Sequence, residues 1–229
     1  MPVLGYICLV VGAYLLGSIP TGYLVARAKG IDIRTVGSGN IGATNAFRVL
    51  GKPAGIFVLL ADALKGFAAV ALVINFYPDL SSAFPSMFPS AATNGGDIAR
   101  WNAGLLAGFT AILGHNFTCW LRFKGGKGIA TTAGVYFAVA PISVGIALVL
   151  WIIAFVATRY VSVASIVAAV ALPTAVWINH YNSSFALCIA TTAIGAMAIW
   201  KHKANIARLK AGTENRIEFG KKSTEGKPT

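Results

Sequence analysis

Three short polar segments carry most of the side chains that could do chemistry in this chain, and the first spans residues 37–48, GSGNIGATNAFR. It offers hydroxyls, amides, glycine backbone amides and one guanidinium, all of which can donate hydrogen bonds to phosphate oxygens. The candidate phosphate ligands are Ser38, Gly39, Asn40, Thr44, Asn45 and Arg48. Gly37 and Gly42 have the spacing of a nucleotide-binding P-loop, but Ala43 follows where that loop needs a lysine. The segment therefore predicts an anion site without nucleotide binding, with helix capping by its hydroxyls and amides as the alternative.

The second segment, residues 122–128 with the sequence RFKGGKG, places two glycines between two lysines. Glycine allows the backbone to fold closely around a ligand, and each lysine adds a compact positive charge. The candidate phosphate ligands here are Lys124, Gly125, Gly126 and Lys127. An ordinary basic turn that only fixes membrane topology is the alternative.

The third segment, residues 201–216, contains His202 and Asn205, which stand three residues apart and would share one face of a helix. Arg208 lies three residues further on. A basic amphipathic helix lying on anionic lipid would have much the same pattern, and for this segment alone that interpretation is favoured. Because the other two segments also suit anions, we assign His202 and Asn205 to the same site.

Four further polar residues lie in or beside apolar stretches. Asp62 and Lys65 are three residues apart and can pair, which lowers the cost of placing either charge in hydrocarbon, so we predict a structural role for them. Ser162 and Ser165 share a helical face and could cap that helix or bind an anion. The sequence has no HExxH motif, no paired carboxylates and no nearby His and Cys cluster, so we predict no metal site and no cofactor.

The composition indicates what must position these residues. Of the 229 residues, 56% are hydrophobic and 11% are charged, and the mean hydropathy is +0.71. Such values are typical of an integral membrane protein and not of a soluble domain. Basic loops at a membrane surface explain the net charge of +12, so nucleic acid is not predicted as a partner.

Apolar stretches and basic loops together predict the topology. The first apolar stretch ends near residue 30 and is followed by positive charges, which places its N-terminus outside and its carboxyl end in the cytoplasm. Further spans are predicted at 52–77, 101–120, 161–178 and 184–200, with an external loop at 78–98.

The apolar stretch at 129–158 could cross the membrane once or twice. A single crossing would place the basic C-terminal segment outside, against the positive-inside rule, so we predict a short hairpin hinged at residues 140–143. The prediction is an all-α membrane protein of seven spans, with its N-terminus outside and its C-terminus and all three polar segments in the cytoplasm. Residues 1–217 would form this domain, followed by a flexible basic tail at 218–229.

These segments, together with SIPTGYL and DALKG, resemble the bacterial acyl-phosphate:glycerol-3-phosphate acyltransferases of the PlsY family. The matching motifs are GSGNIGATNAFR, GHNFTCWLRFKGGKG and HKANIARLKAGTE, in the family's order and spacing. The likeness runs from about Gly17 to Glu214. Glu214 itself resembles the family's structural acid. Ile41 and Thr118 stand where many relatives have proline, and neither is a proposed ligand.

The resemblance implies a multi-pass enzyme of the bacterial inner membrane whose active site faces the cytoplasm. It would transfer a fatty acyl group from acyl-phosphate to the sn-1 hydroxyl of glycerol 3-phosphate, giving lysophosphatidic acid and inorganic phosphate. Ser38, Arg48 and Lys127 would hold phosphate, and Ser38 is also placed among the catalytic residues. His202 and Asn205 would orient the glycerol phosphate or the reacting carbonyl. The implied partners are the two substrates and membrane lipids, with no obligate protein partner.

Other acyl-transfer chemistries are not supported. The HxxxxD pattern fails because Trp120, Phe185 and Ala207 lie five residues after the three histidines. No Ser, His and Asp triad or Cys and His pair is predicted on the cytoplasmic side, so we expect direct transfer without an acyl-enzyme. A substrate phosphate or His202 would accept the proton of the attacking hydroxyl. A phosphorylated-solute transporter competes, but no charge chain crosses the bilayer and no inverted repeat is visible; a lipid-binding scaffold would leave the matched loops unexplained.

Overall fold

The structure, a computed structural model, describes residues 2–88 and 96–217. Regular secondary structure within these ranges is entirely helical, which confirms the all-α prediction. The helices of the first half are α1 (Pro2–Ser18), α2 (Thr21–Arg27), α3 (Ala43–Leu50), α4 (Lys52–Ala83) and α5 (Gly96–Asn116). A 3₁₀ helix (Cys119–Leu121) then leads to α6 (Ile129–Val139), α7 (Pro141–Thr158), α8 (Val161–His180), α9 (Phe185–Lys201) and α10 (Lys203–Lys210). The predicted tail at 218–229 and residues 89–95 of the predicted external loop lie outside the described residues.

Three described helices, α4, α7 and α8, are each long and apolar enough to cross a membrane. Two bent pairs meet the same test when each pair is taken as one span: α1 with α2, bent by 41°, and α9 with α10, bent by 51°. Helix α6 is apolar but has only 11 residues. Length and composition therefore support three to five spans among the described residues. The count of seven and the orientation stay predictions.

The first predicted span is broken between α1 and α2, at Ile19 and Pro20. The Ile19 carbonyl lies outside the helical hydrogen-bond pattern and accepts a hydrogen bond from Lys65 Nζ at 2.8 Å. Lys65 Nζ also lies 2.8 Å from Asp62 Oδ1, which confirms the predicted ion pair. The Thr21 hydroxyl donates to the same carboxylate at 3.2 Å. The pair therefore joins α4 to both sides of the break.

The start of the predicted external loop at 78–98 is wrong, because α4 continues through Pro78 for more than another turn. Proline has no backbone N–H, so Pro78 cannot donate to the Ile74 carbonyl four residues earlier. Arg100 of α5 supplies the missing donor, since its Nε lies 2.6 Å from that carbonyl. A side chain from a neighbouring helix thus lets α4 tolerate the proline.

The apolar stretch at 129–158 breaks at Ala140, inside the predicted hinge. Ala140 has a non-helical φ of −149° and ψ of 65°, and α7 begins at the next residue. Helix α6 packs chiefly against α4, whereas α7 packs chiefly against α8. At Gly134 the first of these contacts is so close that a Cβ would clash with the Ala63 carbonyl, as is common between membrane helices. The two halves of the stretch therefore belong to different helix pairs.

We expect Lys65→Met to destabilise the protein, because it leaves the buried Asp62 carboxylate without its cation. Breaking a buried ion pair in this way costs about 3–5 kcal/mol. Thermal unfolding of the purified protein in detergent, followed by circular dichroism, should show a clearly lower transition temperature. Lys52→Met, at the exposed start of the same helix, is the matched control and should leave the transition in place. Equal transitions in the two variants would contradict the stabilising role of the pair.

Candidate active site

A cavity of about 310 Å³ contains residues from all three polar segments. Each of the helices α3 to α10 contributes to its lining. Its polar lining includes Ser38, Asn40, Thr44, Asn45, Arg48, Lys127, Ser162, Ser165, His202, Asn205, Arg208 and Glu214. Segments far apart in the sequence are therefore brought together, as an anion site built from all three requires.

The loop before α3 is organised by the buried side chain of Asn45. Asn45 Oδ1 accepts the backbone N–H of Ser38 at 2.9 Å. Asn45 Nδ2 donates to the carbonyls of Ile33 and Val36, at 3.2 and 3.1 Å. Gly37 has a φ of +61°, a conformation that favours glycine, and this lets the chain turn around the amide. Asn45 was predicted to bind phosphate, but both of its amide hydrogens are engaged by protein carbonyls, so its role is to hold the loop.

The remaining side chains of this segment divide between loop and cavity. Asn40 Oδ1 accepts the backbone N–H of Gly42 at 2.8 Å and so forms a turn just before α3, whose N-cap is Gly42 and has no side-chain cap. Ser38, Thr44 and Arg48 are exposed and line the cavity. Two hydroxyls and one guanidinium are therefore in place to meet an anion.

The glycines predicted as phosphate ligands have another role. The backbone N–H groups of Gly125 and Gly126 donate to the carbonyls of Asn116 and His115, at 3.2 and 3.0 Å. A Cβ on Gly126 would clash with the His115 ring, so glycine is required for the loop to pack on the end of α5. Gly39, with a φ of +69°, forms a turn and does not line the cavity. The backbone N–H groups of these three glycines therefore donate to protein carbonyls in this structure, and their phosphate contacts stay predictions.

The two lysines of the second segment lie in different environments. Lys124 is exposed and outside the cavity lining, so the basic-turn alternative describes it. Lys127 is half-buried in the cavity wall and donates a hydrogen bond to Asn205 Oδ1. Burial lowers the pKa of Lys127 to about 8. Its ammonium group is therefore mostly charged at neutral pH and loses the proton slightly above it.

Asn205 joins Lys127 to a carboxylate in the third segment. Asn205 Nδ2 donates to Glu214 Oε1, and Arg208 Nε donates to Glu214 Oε2, both at 2.7 Å. An ammonium can only donate and a carboxylate can only accept, which fixes the orientation of the Asn205 amide. Burial raises the pKa of Glu214, but the hydrogen bonds from Asn205 and Arg208 outweigh it and hold the pKa below its usual value. Asn205, which was predicted to orient substrate, thus contacts both Lys127 and Glu214 in this structure.

His202 lies at the bend between α9 and α10 and is 3% exposed. Its Nδ1 is 2.7 Å from the Ala198 carbonyl, which can only accept, so Nδ1 carries the proton. The lone pair of the neutral ring is then on Nε2. Burial, followed by the nearby charge of Lys127, lowers the pKa of His202 to about 4. At neutral pH the cavity wall therefore presents an uncharged imidazole with an acceptor nitrogen.

The two predicted serines of α8, Ser162 and Ser165, are buried and line the cavity. Ser165 Oγ accepts a hydrogen bond from Trp151 Nε1 of α7 at 3.3 Å. Trp151 also lines the cavity, but it stands in a continuous apolar stretch and no sequence pattern marked it. Ser165 thus connects the polar end of the cavity to α7.

Several lining residues were not predicted as ligands. Arg208 could have been found, because it continues the three-residue spacing of His202 and Asn205 along one helix face. Asp62 and His115 also line the cavity, with 3.6 Å between His115 Nδ1 and Asp62 Oδ1. Only the fold brings Asp62 of α4 and His115 of α5 to the wall of the site.

The segment that follows α10, residues 211–217, returns to the turn between α7 and α8. The Ile217 N–H donates to the Arg159 carbonyl at 2.9 Å. Glu214 and Asn215, which lie between the end of α10 and this hydrogen bond, line the cavity. The third polar segment is therefore tied to the start of α8 as well as to the end of α9.

Most of the remaining lining is apolar and comes from α6, α7, α8 and α9. It includes Ile129, Ala130, Ala133, Val144, Ala147, Leu148, Leu172 and Ile194. Among the described residues no group of three or more His, Cys, Asp or Glu side chains could hold a metal ion. The cavity therefore suits a molecule with a phosphate head and a hydrocarbon tail.

The sequence is similar to those of proteins named as acyltransferases. The family model described as glycerol-3-phosphate acyltransferase matches residues 7–212. A glycerol-3-phosphate acyltransferase of Geotalea daltonii is 44% identical over 209 residues, covering 91% of this chain and 96% of that protein. One from Geobacter sulfurreducens is 45% identical over 206 residues, covering 90% and 94%.

Two solved structures have the same fold. Both are crystal structures of PlsY (YgiH), an integral membrane glycerol 3-phosphate acyltransferase, in its glycerol 3-phosphate and lysophosphatidic acid forms. Each is 36% identical to this chain and covers 93% of it, with TM-scores of 0.76 and 0.74 and coverage of 96% and 95% of the solved chains. The chain therefore belongs to the glycerol-3-phosphate acyltransferase family of integral membrane acyltransferases.

Proposed function

We propose that this protein transfers a fatty acyl group from acyl-phosphate to the sn-1 hydroxyl of glycerol 3-phosphate, giving lysophosphatidic acid and inorganic phosphate. The observation that carries the proposal is a single cavity in which cationic and hydroxyl groups from three segments adjoin an apolar cleft. Acyl-phosphate and lysophosphatidic acid each combine a phosphate with a hydrocarbon chain. The related crystal structures, in forms with glycerol 3-phosphate and lysophosphatidic acid, support the choice of acceptor and product.

Substrate phosphates would be held by the cationic and hydroxyl groups of the lining. Arg48 offers a planar guanidinium and Lys127 a compact ammonium, and Ser38 adds a hydroxyl beside them. Asn205 and Glu214 act indirectly, because they hold Lys127 in place. This assigns binding to side chains from the first two segments and positioning to the third.

Transfer would proceed in one step, without an acyl-enzyme and without a cofactor. The glycerol hydroxyl oxygen attacks the acyl carbonyl carbon, and the bond between that carbon and the phosphate oxygen breaks. The phosphate leaves with the bonding electrons. Acyl-phosphate is a mixed anhydride with a good leaving group, so proximity and charge stabilisation by Arg48 and Lys127 can supply much of the rate.

A substrate phosphate is the better acceptor for the proton of the hydroxyl. The pKa of His202 is lowered to about 4, whereas a phosphate monoester loses its second proton at a pKa of about 6. His202 Nε2 would instead accept a hydrogen bond from the hydroxyl and orient it for attack. The imidazole is thus assigned the role of orienting the hydroxyl, and the substrate phosphate is assigned the role of general base.

The proposal includes the predicted topology: seven spans in the bacterial inner membrane, N-terminus outside, with the site on the cytoplasmic face. Of the 19 basic residues, 17 lie in segments that this topology assigns to the cytoplasm. Glycerol 3-phosphate is a soluble anion that would enter from that side. The acyl donor would remain in the membrane, and no protein partner is needed.

Purified protein in lipid should release inorganic phosphate only when both acyl-phosphate and glycerol 3-phosphate are present. Lys127→Met should lower kcat/KM roughly 10- to 100-fold, because it removes a charge-assisted hydrogen bond to phosphate. Lys124→Met, three residues earlier and outside the cavity, is the matched control and should retain activity. The absence of release with both substrates would refute the enzymatic proposal, and uptake of glycerol 3-phosphate into sealed vesicles would favour a transporter.

We expect His202→Gln to keep kcat within about tenfold of the parent protein. Glutamine can accept a hydrogen bond from the hydroxyl but cannot take its proton, so an orienting role survives the change. Steady-state kinetics with both substrates would measure this, with Lys210→Gln on the exposed side of α10 as the control. A loss of about 100-fold or more in kcat at unchanged KM would instead make His202 the general base.

Affinity for glycerol 3-phosphate should fall as the pH rises through about 8, the pKa to which burial lowers Lys127. The ammonium is charged below this pH and neutral above it, while the ligand stays a dianion, so binding should weaken about tenfold between pH 7 and pH 9. Isothermal titration calorimetry would measure the dissociation constant. In Lys127→Arg the guanidinium stays charged, so the profile should be flat. A flat profile in the parent protein would exclude the predicted contribution.

A further inference from the structure

The apolar part of the cavity is a cleft whose closed end can be identified. Helices α6 and α7 separate at Ala140 and follow different partners, α4 and α8. Polar lining residues stand near the start of α8 and the end of α9, and apolar lining residues extend along both helices away from them. Lining residues near the break are Val144 on α7, Leu172 on α8 and Ile194 on α9.

These three side chains close the end of the cleft. They are 3%, 7% and 3% exposed and belong to one hydrophobic core cluster. Beyond them, the hydroxyls of Tyr136 and Thr191 share a hydrogen bond at 2.6 Å and tie α6 to α9. The closed end is therefore a packed floor that resists displacement.

The sides of the cleft differ from one another. At Gly195, α9 approaches α8 so closely that a Cβ would clash with the Ala169 carbonyl, which seals this wall. On the opposite side, Leu148 of α7 lines the cavity and is still 45% exposed. A hydrocarbon chain can therefore enter or leave through the α7 side, but not through the floor.

The distance from the polar end to the floor sets a length. On α8, Ser162 lies ten residues before Leu172, which is about 15 Å at 1.5 Å per residue. A fully extended chain advances about 1.2 Å per single bond, so roughly 12 bonds fit between these levels. A longer acyl chain has to bend out through the open side, and that bend carries a steric cost.

We propose that Val144, Leu172 and Ile194 set the acyl-chain length preference of the enzyme. The inference rests on the proposed function and adds to it the residues that limit the length of the bound acyl chain. Because the chain comes from a bilayer that is itself apolar, the discrimination arises from fit against the floor and not from transfer out of water. Removing bulk at the floor should favour longer chains, and adding bulk in the cleft should favour shorter ones.

The test is the ratio of kcat/KM for palmitoyl-phosphate to that for lauroyl-phosphate, measured in lipid bicelles. Ile194→Ala should raise the ratio at least about fivefold, and Ala147→Leu should lower it by a similar factor, since overpacking an apolar site costs about this much. A ratio within one variant does not depend on how much of the protein is folded. If Ile194→Ala does not fold, Val144→Ala takes its place, with the same expected direction.

Matched controls lie on the same helices and outside the cavity. Ile189→Ala on α9 and Ala157→Leu on α7 change exposed positions and should leave the ratio within about twofold. A parent protein that is active, with cleft variants whose ratios stay within the range of these controls, would overturn the chain-length inference and leave the proposed function standing. Failure of the parent protein to release phosphate from any acyl-phosphate would overturn both.

Discussion

A buried charge or carbonyl that cannot reach water needs a hydrogen-bond or ion-pair partner inside the protein. In this fold the ammonium group of Lys65 is such a partner for two groups. Lys65 pairs with the Asp62 carboxylate and with the Ile19 carbonyl at the break between α1 and α2. Asp62 in turn faces His115, whose ring packs on Gly126. Gly126 belongs to the second polar segment, residues 122–128, which also carries Lys127. The break in the first apolar helix and the position of Lys127 therefore depend on the same buried cation.

A second set of contacts joins the two halves of the site. Lys127 comes from the loop before α6, whereas Asn205, Arg208 and Glu214 come from the segment after α9. The Asn205 amide is satisfied on one side by an ammonium and on the other by a carboxylate, so it has a single orientation. Neither half could hold this arrangement alone. The polar end of the cavity is a product of tertiary structure, although each group in it is local to a short motif.

Sequence patterns predicted the features that depend on local chemistry. The helical class, the Asp62–Lys65 pair and the break near Ala140 follow from apolar length, three-residue spacing and the distribution of basic residues, and all three are present. Features that depend on a distant partner were not predictable. Helix α4 continues through Pro78, and Arg100 from another helix donates to the Ile74 carbonyl that the proline leaves without its helical donor.

The same distinction separates predicted site residues that line the cavity with free polar groups from those whose polar groups are engaged inside the protein. Ser38 and Arg48 were predicted from their residue types to belong to the site, and both are exposed and line the cavity. Asn45 has an equally suitable amide, but its amide hydrogens donate to two carbonyls of the loop itself. Gly125 and Gly126 likewise donate to α5. Residue type shows which contacts a group can make, and the surrounding fold decides whether those contacts are internal.

The connection between Lys127 and the third segment has a consequence for the order in which the protein is made. The loops that carry Ser38 and Lys127 leave the ribosome well before Asn205 and Glu214 are synthesised. Until then the lysine lacks the partners that orient it. Acyl transfer thus becomes possible only after α9 has been inserted and the chain beyond it has folded back to the α7–α8 turn. A nascent or prematurely terminated chain in the bilayer would therefore carry cationic loops without a working site.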